Sequence, residues 1–400
     1  MSPPRHDAWR SVGWGLFLAS SWTWCIGMYL PIILLREWGW RGFWLFAIVN
    51  VVGATAVGFL WTRERSREFV ERRRSLLRLF SLATISFQAF FVAWMAGSVR
   101  HPTLAAAAEA LGGAGVSALP AWLGWSFGTA SLAALALAGS RGESGWRTLG
   151  AIVTLGSLAL WWAYGVEGWS RVGEGAAPPG ELWLLAPAIA LGFLVCPHLD
   201  LSFQRVAASG AGPIAWIVFG ASFLPMLLFA ASAYSPAGAM ATGSLVVWWF
   251  LQCSFTAMVH ARELRASAAS SAAPSAAPNA APNARGSTAM VVVALLVGAI
   301  AGSPLLGGES IYLRFLGLYG AIFPAAALLL WRGYRSLGIL GYLAVAVPCF
   351  EIGFIGRPGE AAGRIAWATL LPLGLLLGLV LAPINNGAGR GARAGAVPLN

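Results

Sequence analysis

The chain has 400 residues, of which 58% are hydrophobic and only 10% are charged. Its mean hydropathy of +0.71 excludes an ordinary soluble globular protein, which keeps a largely polar surface. The formal net charge is +11, and all the lysine-or-arginine positions are arginine. In a soluble protein such a charge would suggest nucleic-acid binding. In a chain this apolar, the arginines are better explained as signals that orient membrane segments. We therefore expect an all-α, polytopic membrane protein that has membrane lipid as a partner and no nucleic-acid partner.

Apolar runs of about 20 residues are long enough to cross a bilayer as helices. Charged and Pro/Gly-rich breaks separate these runs along the whole chain. The pattern predicts about twelve transmembrane helices, over residues 12–35, 42–62, 79–97, 120–139, 148–165, 182–204, 213–233, 243–260, 288–305, 311–331, 336–354 and 365–383.

The arginines indicate the orientation of these spans. With the N-terminus in the cytoplasm, 19 of the 26 arginines fall in segments on the cytoplasmic side. Arginine is enriched in cytoplasmic loops of membrane proteins. The distribution predicts that both termini are cytoplasmic, and we expect the protein in a bacterial inner membrane.

Composition also predicts how the chain is divided. Residues 63–78 are rich in arginine and in helix-forming residues, which favours a helix that extends into the cytoplasm as an orientation signal; binding of anionic lipid is the alternative. The expected segments are a cytoplasmic N-terminus (1–11), a first five-helix half (12–165), a second half (182–331) interrupted by a disordered Ala/Ser/Pro linker (266–287), two extra helices (336–383) and a disordered cytoplasmic tail (384–400).

The first span carries a polar cluster halfway along its length. Ser21, Thr23 and Cys25 precede Gly27 and Pro31, a combination that favours unwinding of the helix. Freed carbonyls and hydroxyls could then bind a cation or a polar solute. Alternatively, the hydroxyls bond to their own helix and the small residues permit close packing.

Residues 181–208 contain the strongest functional signal. Pro197 removes a helical donor and favours a kink or break, and His198, Asp200 and Arg205 follow within ten residues. Ionisable groups in a membrane span are costly unless they face a cavity or a partner. Asp200 is therefore expected to form a structural ion pair with Arg205, to pair with His198, or to bind a proton or cation.

The eighth span adds Ser254 and Thr256, which could supply oxygen ligands to a sodium-sized cation. Metal binding is not expected, because neither the histidines nor the four cysteines show metal-ligand spacing. The sequence also lacks a nucleotide-binding loop or a recognisable catalytic motif. We expect no cofactor beyond a coupling Na⁺ or H⁺, and no enzymatic activity.

Residues 192–205 resemble the sodium/solute symporters. These carry a Gly-x-x-x-x-Pro-His run followed by Arg and Phe, and here Gly192 to Pro197 and His198 precede Phe203 and Arg205. The resemblance implies the wider superfamily of inverted-repeat transporters of the leucine-transporter type, whose first and sixth core helices are broken at mid-membrane. It implies two five-helix repeats plus two extra helices, with breaks around Cys25–Gly27 and Cys196–Asp200.

The sequence thus predicts an ion-coupled secondary active transporter that moves a small polar solute by alternating access. The residues expected to bind the solute or ion are Ser21, Thr23, Cys25, His198, Asp200, Ser254 and Thr256. The alternative is a non-transporting membrane scaffold or sensor, in which a tightly packed bundle seals Asp200 against Arg205.

Overall fold

All regular structure in the described part of the chain is helical, as the sequence predicts. The computed structural model describes residues 5–98, 119–138, 142–164, 173–232, 243–269, 281–334, 336–355 and 362–382. Among these residues, six helices are long and apolar enough to cross a membrane, as in an integral membrane protein: Cys25–Leu60, Arg74–Gly97, Pro179–Leu199, Pro213–Ser232, Glu309–Trp331 and Ser336–Ile355. The count of twelve crossings stays a prediction.

The described residues before 173 contain six helices. They are α1 (Arg5–Trp22), α2 (Cys25–Leu60), α3 (Arg63–Arg72), α4 (Arg74–Ser98), α5 (Leu119–Leu137) and α6 (Glu143–Tyr164). The basic segment 63–78 is helical, with a bend at Arg73, as expected from its composition.

Nine helices follow in the described residues from 173 onwards. They are α7 (Pro179–Leu199), α8 (Leu201–Ala208), α9 (Pro213–Ser232), α10 (Gly243–Ala269), α11 (Ala281–Ala301), α12 (Glu309–Gly317), α13 (Phe323–Trp331), α14 (Ser336–Phe350) and α15 (Ala362–Leu381). A π-helical turn over Leu318–Ile322 joins α12 to α13, and another over Glu351–Ile355 extends α14.

Helix α2 is two helical halves joined by a turn at Gly39. This glycine has φ 60° and ψ −153°, a region that residues with a Cβ rarely enter. Two backbone hydrogen bonds hold residues 176–177 against the residues before this turn. Ala176 N–H donates to the Arg36 carbonyl at 3.1 Å, and Ala177 N–H donates to the Glu37 carbonyl at 2.7 Å. The turn at Gly39 lies between the predicted spans 12–35 and 42–62, which explains why the sequence predicts two spans along this one long helix.

The described helices associate mainly in two groups of four. In the first group α9 packs along both α1 and α2, and α7 packs along α2. In the second group α4 is central and contacts α5, α10 and α11. Helix α6 lies against α1, and α15 packs on α7 and α14.

Small residues allow α4 and α11 to pack closely. A Cβ added at Gly298 would lie 2.0 Å from the Ser86 carbonyl oxygen, and one at Gly302 would lie 2.3 Å from the Phe90 carbonyl oxygen. Two glycines four residues apart let helix backbones approach within a membrane. The Ser86 hydroxyl also donates to the Ala294 carbonyl across this contact at 2.8 Å.

Some of the predicted segments extend outside the described residues. Helices α10 and α11 occupy both ends of the predicted linker 266–287, whose centre at 270–280 is not described. The predicted tail 384–400 also lies outside the described residues. Residues 5–11 of the predicted N-terminus belong to α1.

The α4–α11 contact predicts a strong effect of Gly298→Ala on stability. The added methyl group would collide with backbone, which cannot move aside as a side chain can, so we expect a loss of about 1–3 kcal/mol in the free energy of unfolding. The thermal unfolding midpoint of the purified protein measures this loss. The control is Gly341→Ala, where an added Cβ meets nothing within 4 Å. A similar midpoint for the two variants would show that the close contact is not formed.

Candidate functional site

The first helix interruption separates α1 from α2. Trp24 has an extended backbone with φ −77° and ψ 174°, so the regular helical hydrogen bonds stop there. Its indole N–H donates to the Ser21 carbonyl at 2.6 Å and replaces the helical donor that this carbonyl would have had. The Thr23 hydroxyl bonds back to the Ala19 carbonyl at 2.7 Å. The break lies just before Cys25–Gly27, where the sequence predicts it.

The second interruption separates α7 from α8 at Asp200. This residue has φ −81° and ψ 120°, and its Oδ1 accepts the Ser202 N–H at 2.6 Å. Asp200 is therefore the N-cap of α8, a position that aspartate favours. The Gln204 side chain donates to the His198 carbonyl at 2.8 Å. This carbonyl at the C-terminal end of α7 therefore has a hydrogen-bond partner. Pro197, in the last turn of α7, further weakens the helix before the break.

The two interruptions lie side by side. The Ser21 and Ser202 hydroxyls are 3.1 Å apart, and both side chains are completely buried. The Trp22 and Phe203 rings contact edge to face, with centroids 5.0 Å apart. Residues 181 positions apart in sequence thus meet where both helices lose their regular hydrogen bonds.

Asp200 faces His260 of α10 at this junction. Asp200 Oδ2 and His260 Nε2 are 3.7 Å apart, and both side chains are completely buried. Neither atom has a hydrogen-bond partner among the described residues. His260 Nδ1 lies 3.1 Å from the Ser81 hydroxyl of α4, and the Trp24 ring packs edge-on against the imidazole at 5.7 Å. The pair therefore links the second interruption to the first and to the second helix group.

The sequence prediction omitted His260 as a site residue. It is one polar residue among several in α10, and periodicity alone does not distinguish a histidine that faces Asp200 from one that faces another helix. The predicted pairing of Asp200 with Arg205 is not what the structure contains, because Arg205 binds Glu263 instead.

Ser254 and Thr256 are buried in α10, and their hydroxyls have no hydrogen-bond partner among the described residues. The same holds for both polar atoms of the Gln88 side chain on the contacting helix α4. Side chains two positions apart do not share a face of a regular helix. Because α10 is continuous from Gly243 to Ala269, the two hydroxyls do not point at one common ion.

The remaining predicted residues separate into different environments. Cys25 is completely buried, and its carbonyl accepts the Tyr312 hydroxyl at 3.0 Å. His198 accepts a hydrogen bond from the Trp61 indole N–H at its Nδ1, at 2.5 Å. It lines a groove beside α3, so its ring belongs to different surroundings from those of Asp200.

A cavity of about 170 Å³ begins at the first interruption. Its walls come from both halves of α2, from α7, from the π-helical turn at Leu318–Ile322 and from the last helices, and they are mainly apolar. Trp22, Trp24 and Cys196 line it. None of the seven residues predicted to bind the solute or ion lines it, so the polar junction lies behind the two tryptophans and not in the cavity wall.

An ion pair spans one end of this cavity. Arg36 of α2 donates from both terminal nitrogens to the Glu309 carboxylate of α12, at 2.9 and 2.6 Å. Tyr29 donates to the same carboxylate at 3.2 Å, and Glu37 binds the Arg36 Nε. All three charged residues line the cavity. A bidentate pair is the most directional ion pair that arginine makes, and this one connects the two walls.

A second bidentate pair lies at the other end of the site. Arg205 of α8 binds both carboxylate oxygens of Glu263 on α10, and Glu143 of α6 lies 3.7 Å from the same guanidinium. Burial lowers the pKa of Arg205, but the Glu263 carboxylate outweighs this effect and holds the pKa above its ordinary value. Arg262 also binds Glu263, at 3.1 Å. This pair joins the interrupted helix to the second helix group.

The cavity geometry predicts how Cys196 reacts with thiol reagents. Cys196 lines the cavity and is only 3% exposed. The experiment uses a variant in which Cys25, Cys253 and Cys349 are changed to Ala. In it, we expect Glu309→Gln to raise the rate at which a small polar methanethiosulfonate labels Cys196, up to about fivefold. The effect is modest because a partly exposed ion pair contributes little to keeping the cavity closed.

The matched control for this experiment is Glu351→Gln. It breaks a bidentate pair of the same type, with Arg314, of which neither residue lines the cavity. We expect unchanged labelling in the control. Equal rates in the two variants would contradict a closing role for Glu309.

Comparison with known proteins gives no family for this chain. No protein-family model matches it, and no curated protein matches it in sequence.

Proposed function

We propose that this chain is a secondary active transporter that moves a small solute by alternating access and is coupled to Na⁺ or H⁺. The observation that carries the proposal is the contact between two interrupted helices at Ser21 and Ser202, next to the buried Asp200–His260 pair. Interrupted helices leave backbone and side-chain groups available to a ligand within an otherwise apolar protein. A helix bundle that serves only as a scaffold has no need for two such breaks at one place.

The order of the helices supports an inverted-repeat architecture of the kind that the resemblance implies. Each helix group takes two members from each half of the chain: α1 and α2 combine with α7 and α9, and α4 and α5 combine with α10 and α11. The interruptions fall in the first helix of each half. Twelve spans, with two five-helix halves and two extra helices, are the arrangement we propose, in a bacterial inner membrane with cytoplasmic termini.

The cavity suggests the kind of solute. Its lining by Trp22, Trp24, Ile26 and Phe193 favours a molecule with an apolar or aromatic part. Polar groups of the solute would meet the junction between Ser21 and Ser202 once the tryptophans move. The solute that fits such a cavity is less uniformly polar than the small polar solute that the sequence predicts. Amino acids and nucleobases fit this description better than sugars.

Asp200 and His260 are the coupling residues in this proposal. Asp200 Oδ2 and His260 Nε2 are buried and have no hydrogen-bond partner among the described residues. Such atoms are costly to keep in an apolar interior unless a proton or a cation binds there. The Arg36–Glu309 and Arg205–Glu263 pairs would open in turn, because each joins an interrupted helix segment to a neighbouring helix. The scaffold alternative predicts Asp200 sealed against Arg205, and the structure instead pairs Arg205 with Glu263.

Uptake into vesicles tests the proposal. A thermal-shift screen of amino acids, nucleobases and sugars selects solutes that stabilise the protein, because a ligand that binds the folded state raises its melting temperature. We expect a selected solute to accumulate in proteoliposomes under an imposed Na⁺ or proton gradient. Asp200→Asn and His260→Gln should each abolish accumulation.

The control variant is His198→Gln, because His198 lies beside α3 and away from the junction. It should retain uptake, and all three variants should keep a wild-type melting profile. Accumulation that survives in both Asp200→Asn and His260→Gln would contradict the assigned coupling site. A protein that is stabilised by no solute and accumulates none would favour the scaffold.

A further inference from the structure

A groove of about 670 Å³ lies at the Arg205 end of the molecule, apart from the candidate site. It is bounded by α3, by the ends of α2 and α7, and by α13. Helix α3 is fixed in place over the interrupted helix, since the Ser66 hydroxyl bonds to the Gln204 carbonyl at 2.9 Å and to its side-chain oxygen at 2.7 Å. The wall of the groove that α3 forms is therefore held in place by tertiary contacts.

One side of the groove is basic. Arg65, Arg72 and Arg73 line it, together with Glu68. Arg72 pairs with Glu68 at 2.5 Å, but both side chains are more than half exposed, so this pair is weak and can be exchanged for another anion. Arg73 donates to the Leu330 carbonyl at 2.9 Å, which holds its guanidinium over the end of α13. Three arginines against one glutamate make this side attractive to anions.

The opposite side of the groove is apolar and continues onto the outer surface of the membrane helices. Leu194, Val195 and Leu328 line it, and Leu194 is half exposed. Trp331, at the end of α13, is 81% exposed, and such positions suit an indole ring at the membrane–water boundary. A charged wall and an apolar wall thus meet at the level where a span ends.

We propose that this groove binds an anionic phospholipid. Arg65, Arg72 and Arg73 bind the headgroup phosphate, and the first part of an acyl chain lies along Leu194, Val195 and Leu328. Arginine suits phosphate because its planar guanidinium donates two parallel hydrogen bonds. A free phosphate ion would use only the basic wall, whereas a lipid uses both. The inference is independent of whether the protein transports a solute.

The test measures lipid binding to the purified full-length protein in detergent by native mass spectrometry and by thermal shift. Dioleoyl phosphatidylglycerol should bind and raise the melting temperature. Dioleoyl phosphatidylcholine and inorganic phosphate at the same concentration should not. Arg65→Gln/Arg72→Gln should weaken phosphatidylglycerol binding about 25-fold, since each arginine near an anionic lipid contributes roughly a factor of five.

The double variant changes two exposed side chains and leaves the Arg73 contact with Leu330 intact, so it should fold normally. The matched control, Arg63→Gln/Arg67→Gln, removes the same charge from the same helix at positions that do not line the groove. Retained binding in the groove variant, or an equal loss in the control, would overturn the proposal. Stabilisation by inorganic phosphate equal to that by phosphatidylglycerol would also overturn it, because it would indicate a simple anion site.

Discussion

The structure depends on satisfying polar groups at two helix interruptions inside an apolar protein. A backbone carbonyl without a partner is costly where water is absent, and each break is therefore covered by a specific side chain. The Trp24 indole binds the Ser21 carbonyl, and the Gln204 amide binds the His198 carbonyl. Asp200 caps the helix that follows it. Because these contacts replace helical hydrogen bonds, the breaks are stable parts of the fold.

Not every polar group near the breaks is covered. Asp200 Oδ2 and His260 Nε2 lie 3.7 Å apart, and neither atom has a hydrogen-bond partner among the described residues. Native proteins rarely leave buried polar atoms unpaired unless those atoms have a use. The carbonyls at the breaks thus have hydrogen-bond partners, whereas one ionisable atom each of Asp200 and His260 has none among the described residues.

Ion pairs of similar geometry occupy the two ends of this region and differ in exposure. The Arg36 and Glu309 side chains are 45% and 33% exposed, whereas those of Arg205 and Glu263 are 21% and 6% exposed. Breaking the more buried pair leaves an uncompensated charge and costs more. The Arg36–Glu309 pair, which lines the cavity, is therefore the less costly of the two to break.

The sequence alone was sufficient for the helical class, because long apolar runs have few alternatives in a protein with this composition. It also located the interruption near Asp200, since Pro197 acts through local backbone chemistry. The sequence did not indicate which side chains Arg205 and Asp200 contact. Arg205 binds Glu263 and Asp200 faces His260, and both contacts join residues about 60 positions apart, so no helical period relates them.

Tertiary structure also decided which polar residues belong together. His198 and Asp200 are neighbours in sequence, yet the break between α7 and α8 directs the first toward Trp61 and the second toward α10. Ser21 and Ser202 are far apart in sequence, yet they meet because α1 and α8 pack against each other. The sequence determined where the helices form and break, through local propensity and hydropathy, whereas packing between distant helices determined which side chains form the site.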